Sequence, residues 1–142
     1  MATELRLASG LRVAYSGDCR PAPAFAEACR DTHLLIHEAT FGNDLAEHAL
    51  QKGHCTIGEA LGIARDMRAR RVLLTHFSQR YTKADSPRLN MAQSTDGLDQ
   101  CVLMGFDFMS VKLGDFKKAE CFLPAIGEVM EGLADPSANT GE

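Results

Sequence analysis

Residues 56–76, TIGEALGIARDMRARRVLLTH, decide how this chain is read. Thr56-Ile57-Gly58-Glu59 has the S/T-x-x-E form of a capping box, in which a hydroxyl and a carboxylate each take up an N–H group that a helix start leaves free. Behind it Ile57, Ala60, Leu61, Ala64 and Met67 recur at helical spacing, which predicts an amphipathic helix. Past the basic stretch Arg68 to Arg71, Val72-Leu73-Leu74-Thr75 has the apolar character of a buried strand, and its C-terminal end delivers His76.

The same alternation continues on both sides. Upstream, Leu11 to Tyr15 is a short apolar run that predicts a strand ending at Ser16-Gly17-Asp18. Pro21 and Pro23 suit a helix start, Phe25, Ala26 and Cys29 give that helix an apolar stripe, and Leu34-Leu35-Ile36 follows as a buried strand. Gly42 to Lys52 is expected to lead through a loop into a short helix with Leu45, Ala49 and Leu50 facing inward. Downstream, Asp85 to Gln100 is a polar connection, Cys101 to Leu113 is strand-like with a break at Gly105, and Phe122 to Leu133 predicts a last short helix. Ala134 to Glu142 is a small-residue tail expected to lack order. Strands alternating with helices indicate an α/β layered domain, assigned to residues 1–133, with 134–142 as the tail.

The chain has 142 residues, 45% of them hydrophobic and 24% charged, with no internal repeat, which is the range of one domain. A formal net charge of −4 offers no global attraction for a polyanion, so contact with nucleic acid would need a local basic patch or a bound cation. The five cysteines, Cys19, Cys29, Cys55, Cys101 and Cys121, are odd in number and lack CxxC spacing. That pattern argues against a disulfide framework or a zinc finger and fits a reducing compartment. No stretch approaches the apolar length of a membrane span, and Met1 to Gly10 has no leader pattern.

Acidic, histidine and hydroxyl residues collect where strands end, at Asp18, at His37-Glu38 and at His76, which is where open α/β sheets place their sites. A carboxylate can bridge two divalent ions and an imidazole can hold one of them, so Asp18 and His76 form a candidate pair of metal ligands. The structural alternative is that Asp18 supports its turn and His76 is a hydrogen-bonded core histidine. Glu38 and His54 are likewise open between a site role and a polar loop. His33 and His48 are expected to face solvent.

Four blocks then carry a resemblance: Tyr15-Ser16-Gly17-Asp18, His37-Glu38-Ala39-Thr40, His54-Cys55-Thr56 and His76-Phe77-Ser78-Gln79-Arg80-Tyr81. Together with Phe106-Asp107-Phe108-Met109 and Gly114-Asp115-Phe116, they resemble in order and spacing the C-terminal part of the long-form ribonuclease Z enzymes, between about Leu11 and Met130. The resemblance implies the C-terminal half of a metallo-β-lactamase-type αββα sandwich. It implies a zinc-dependent endoribonuclease that removes 3′ trailers from transfer-RNA precursors by metal-hydroxide attack, with two zinc ions in the complete enzyme.

By the same resemblance Asp18 would bridge the zinc ions and His76 would ligate one of them. Glu38 and His54 would form a pair near the scissile phosphate, with His54 as general acid. Thr56 and Arg80 would contact the RNA. An enzyme of this kind would reside in the nucleus or mitochondrion of a eukaryote.

Cys19 and Cys55 stand where the family usually carries a hydroxyl residue. The His-x-His-x-Asp-His motif that supplies most of the family's zinc ligands occurs nowhere in the sequence. The chain alone is therefore expected to be inactive, with a complementary N-terminal half or self-association supplying what it lacks. Two rivals remain: another metallo-β-lactamase-fold phosphodiesterase, and a non-catalytic half-domain acting as an interaction module.

Overall fold

The computed structural model of the chain describes residues 1–78 and 101–122, together with Ala125. Five strands form one sheet in the order β1-β2-β3-β4-β5: β1 (Thr3–Arg6), β2 (Arg12–Tyr15), β3 (Leu34–Glu38), β4 (Arg71–Thr75) and β5 (Cys101–Met104). β1 pairs antiparallel with β2, and every later pairing is parallel. The helices are α1 (Pro23–Ala28), α2 (Ala46–Lys52), α3 (Ile57–Met67) and α4 (Phe116–Glu120), with single 3₁₀ turns at Asn43–Leu45 and Leu113–Asp115.

The capping box forms in full. Thr56 Oγ1 accepts from the Glu59 N–H at 3.1 Å, and the Glu59 carboxylate accepts from the Thr56 N–H at 2.9 Å. Behind it Ile57, Ala60, Leu61, Ile63, Ala64 and Met67 are buried, so the side of α3 that faces the sheet is apolar throughout. Together with Ala26 and Cys29 at α1 it covers one face of the sheet, presented by Ala14, Leu35, Val72, Leu74, Val102 and Met104. Side chains alternate between faces along a strand, so Val13, Leu34, Ile36, Leu73 and Leu103 point the other way. There they meet Met109, Leu113, Phe116 and Ala119. That cover does not reach Tyr15, which is 47% exposed, and it leaves Val13 and Ile36 only half-buried.

Several expectations are corrected. β1 was not anticipated, because Thr-Glu-Leu-Arg lacks an apolar face; it is held as an edge strand by its pairing with β2 and by Glu4, which binds both Arg6 and Arg12. Leu50 points outward, 65% exposed, while Ala49 on the same helix is buried. The strand begun at Cys101 stops at Met104 rather than running to Leu113. Gly105 donates its N–H to the Leu74 carbonyl at 2.7 Å, and the chain then turns to lay Met109 and Phe116 over the second face. His33 is half-buried, its Nδ1 accepting from the Arg12 N–H at 3.1 Å. The connection 85–100, most of the expected helix 122–133 and the tail 134–142 lie outside the described residues.

Candidate metal centre

The ends of three parallel strands and the approach to α3 meet at one edge of the sheet. β2 runs out into Ser16-Gly17-Asp18, where Gly17 takes φ +60° and a Cβ would meet the Met1 carbonyl oxygen at 3.0 Å. β4 ends on Thr75, and the next residue, His76, has φ +64°, a left-handed conformation unusual for a residue with a side chain. Such a conformation costs on the order of 1–3 kcal/mol and persists only where its surroundings enforce it. Here the Thr75 carbonyl accepts from Ala39 N–H at 2.9 Å and the Ser78 N–H donates to the Thr40 carbonyl at 2.9 Å, so the bend is tied on both sides to the end of β3.

The bend brings His76 Nε2 to 3.8 Å from Asp18 Oδ2. His54 stacks on the His76 ring with centroids 5.2 Å apart. One ligand atom from each of Asp18, His54 and His76 lies within 4.8 Å of the other two. One carboxylate oxygen and two imidazole nitrogens at that separation suit zinc, which binds such atoms at about 2.0–2.2 Å, although four ligands are the usual complement. Asp18 and His76 converge as the sequence suggests, and His54 joins them.

Glu38 organises this edge from beneath. It is 1% exposed, and its carboxylate accepts from the Cys19 N–H at 3.0 Å, the Thr40 N–H at 3.1 Å, the Cys55 N–H at 3.1 Å, the Thr40 hydroxyl at 2.7 Å and His54 Nδ1 at 2.9 Å. Burial by itself raises a carboxyl's pKa, but these donors outweigh it and hold Glu38 below its ordinary value. The hydroxyl of Thr40 spends its hydrogen on Glu38 and accepts from His76 Nδ1 at 2.7 Å. Both rings therefore carry their proton on Nδ1, toward Glu38 or Thr40, and keep the Nε2 lone pair, which in His76 faces Asp18, in the tautomer a metal ligand needs.

Two residues not singled out in the sequence complete the frame. Thr40 is the relay just described. Arg20 forms a two-pronged ion pair with Glu59, with nitrogen–oxygen distances of 2.6 and 3.0 Å, and also donates to the His54 carbonyl, fastening the loop after β2 to the α3 capping box. Neither stands out in sequence, since the reach of Thr40 to His76 and of Arg20 to Glu59 spans dozens of residues to partners no local pattern names. Thr56 is 4% exposed and its hydroxyl accepts from the Glu59 N–H in the cap of α3. Arg80 lies outside the described residues.

Glu59 is also held below its ordinary pKa; burial opposes this, and Arg20 and the Thr56 N–H overcome it. A carboxylate whose folded pKa is depressed stabilises the fold above its unfolded value, about 4.3 for Glu, and that contribution disappears as pH falls through the folded value. From these carboxylates the urea midpoint of the chain is therefore expected to fall below about pH 5. The buried His37, whose pKa burial lowers, adds an earlier decline that begins below about pH 6.5, where the unfolded chain takes up a proton first. A midpoint that rises on acidification would contradict the hydrogen-bonded state of Glu38 and Glu59.

Comparison with known proteins agrees with the geometry. The model of the beta-lactamase superfamily domain matches residues 2–77, more than half of the chain. The chain belongs to the beta-lactamase superfamily, in keeping with a mixed sheet that carries helices and gathers polar residues at its strand ends. Within it, the relatives it matches include ribonuclease Z proteins. Ribonuclease Z 1 of Schizosaccharomyces pombe is 43% identical over 112 residues, covering 79% of this chain and 13% of that protein. A mitochondrial tRNase Z of Arabidopsis thaliana is 40% identical over 115 residues, covering 81% and 12%.

In three dimensions the chain superposes on a long-form RNase Z from yeast with a TM-score of 0.73 and 35% identity, covering 89% of this chain and 17% of that one. The human short-form tRNase Z gives a TM-score of 0.55 at 32% identity, covering 74% and 34%. The chain thus spans only about an eighth of the length of the curated relatives it matches.

Proposed function

We propose that this chain is a segment of a zinc-dependent endoribonuclease that removes 3′ trailers from transfer-RNA precursors, and that it contributes one wall of the active site. The observation that carries this reading is the convergence of Asp18, His54 and His76 above the buried Glu38 carboxylate, in a chain 43% identical to a stretch of ribonuclease Z 1 of Schizosaccharomyces pombe. Zinc, when bound, supplies Lewis-acid polarisation of a phosphoryl oxygen and a nucleophile at neutral pH. Asp18 and His76 would hold it. His54, its Nδ1 proton bonded to Glu38, keeps Nε2 free to carry a proton to the leaving oxygen, and the carboxylate stabilises the charged ring during that transfer.

The remaining zinc ligands would come from a complementary N-terminal half. The sheet face where Tyr15 is exposed and Val13 and Ile36 are half-buried supports this, since a two-layer domain buries such a face against a second sheet. Among the described residues no helix is long and apolar enough to cross a membrane, and a mitochondrial relative in Arabidopsis thaliana favours the mitochondrion or the nucleus as the site of action.

The test is cleavage of a transfer-RNA precursor by the 142-residue chain alone and by the chain joined to an N-terminal half that carries His-x-His-x-Asp-His. The chain alone is expected to be inactive, and the joined protein to cut in a chelator-sensitive way. Hydrolysis of a cyclic nucleotide but not of the precursor would assign it to another phosphodiesterase. Absence of both activities in a folded, zinc-loaded joined protein would leave the interaction module.

A further inference from the structure

Beneath the Asp18 cluster lies a second group of donors. The sulfurs of Cys19 and Cys55 and a ring nitrogen of His37 all lie within 4.8 Å of one another. They come from three elements: the loop after β2, β3 itself and the residue before the α3 cap. We propose that Cys19, Cys55 and His37 form a metal site for a thiophilic d¹⁰ cation such as Zn²⁺, separate from the Asp18–His54–His76 centre.

The first support is His37. It is fully buried, and its Nδ1 stands 2.6 Å from the Glu38 carbonyl oxygen. A carbonyl only accepts, so Nδ1 carries the ring hydrogen and Nε2 bears the lone pair. Nε2 has no hydrogen-bond partner among the described residues. A buried acceptor left unmet costs about 1–3 kcal/mol, and a cation beside the two sulfurs would satisfy it. An imidazole fixed by a backbone carbonyl on one nitrogen and open on the other is how proteins orient histidine ligands. Burial also pushes the pKa of His37 down, toward the neutral form that ligates, while burial and the Glu38 carboxylate push the Cys19 and Cys55 thiols up, so their protons leave only as the metal arrives.

The second support is how the sulfurs are held. The backbone N–H groups of Cys19 and Cys55 both donate to Glu38, so one rigid carboxylate sets the positions of both residues. Cys55 is fully buried and its thiol donates to the Cys19 carbonyl at 3.0 Å, while Cys19 is half-exposed and gives a route from solvent. Tetrahedral zinc with bonds of about 2.3 Å to sulfur and 2.0–2.1 Å to nitrogen places two sulfurs and a nitrogen about 3.5–3.8 Å apart, so only a small closing movement is needed. Two sulfurs and one imidazole leave a fourth position for water. Two S–H bonds break, two metal–sulfur bonds form and two protons pass to solvent, with no change of oxidation state. Soft sulfur donors here and harder oxygen and nitrogen donors above give the two sites different preferences.

The test uses the reduced, metal-stripped 142-residue chain titrated with Cd²⁺, whose bonds to thiolate give an ultraviolet charge-transfer band that oxygen and nitrogen ligands do not. The site predicts one cadmium per chain bound with this band, kept in full by Asp18→Asn/His76→Gln and by the exposed-thiol control Cys121→Ser. Cys19→Ser is expected to remove at least half the band and weaken binding by tenfold or more, and His37→Gln to weaken it to a similar degree. Circular dichroism reports folding; if Cys55→Ser does not fold, the half-exposed Cys19 decides. No band, a band unchanged by Cys19→Ser, or a wild-type mass under air two hydrogens lighter through a Cys19–Cys55 disulfide that blocks cadmium would each overturn the proposal.

Discussion

In a complete enzyme made by joining this chain to an N-terminal half with the metal motif, His54→Ala is expected to lower kcat by on the order of 10²–10⁴-fold and leave zinc content near normal. The His54 ring is anchored on Glu38 through Nδ1, so its loss removes a proton donor but not the oxygen and nitrogen atoms of Asp18 and His76. His76→Ala should fail differently and lose metal as well as rate, because water does not replace an imidazole with equal affinity. Glu38→Gln should act in the same direction as His54→Ala, and the double variant should cost little more than His54→Ala alone, since residues acting as a unit are not additive. Metal analysis beside single-turnover kinetics separates the roles. Zinc loss in His54→Ala would make His54 a third ligand, which its position beside Asp18 and His76 would accommodate.

The second large effect is on stability. Glu38→Ala is expected to destabilise the joined protein by about 3–5 kcal/mol, the range for removing one partner from a buried charged network. The backbone N–H groups of Cys19, Thr40 and Cys55 and the Thr40 hydroxyl would all lose their acceptor together. Glutamine does not repair this. One carboxylate oxygen meets Cys19 N–H and His54, the other meets two groups of Thr40 and Cys55 N–H, so an amide nitrogen faces donors in either orientation. Urea unfolding of the two variants gives the comparison, and a loss under about 1 kcal/mol for Glu38→Ala would show that the network contributes little.

The parts of the fold that could be read from the residues are those whose cause is local. Helix α3 announces itself because its cap and its apolar spacing lie within one segment, and β2, β3 and β4 because each is a short apolar run. β1 was invisible, being an edge strand made by its neighbour and by ion pairs rather than by its own composition. The end of β5 is not legible, because nothing in Phe106 to Leu113 distinguishes residues that extend a sheet from residues that turn to cover it. Leu50 shows the limit of reading a face from so short a helix as α2.

For the site, Asp18 and His76 stand out singly as polar residues at strand ends, while their grouping with His54 and Glu38 came from family resemblance. The relay through Thr40, the clamp by Arg20 and the Cys19–His37–Cys55 cluster emerge only when separate loops are brought together.

The strands lie side by side in the order in which they occur along the chain. Among the described residues no later strand has to be inserted between two that are already paired. During synthesis, each new strand can add to an edge that is already present, so the sheet can grow from the N-terminal side without first undoing earlier contacts. Its three parallel pairings, such as Val13 with Leu34, Leu35 with Val72 and Arg71 with Cys101, each close a long loop, so the sheet forms more slowly than one built of hairpins. A stretch assembled in this sequential way can be cut from a longer polypeptide as a unit and can meet the rest of a domain as an already formed layer rather than as an unfolded strand.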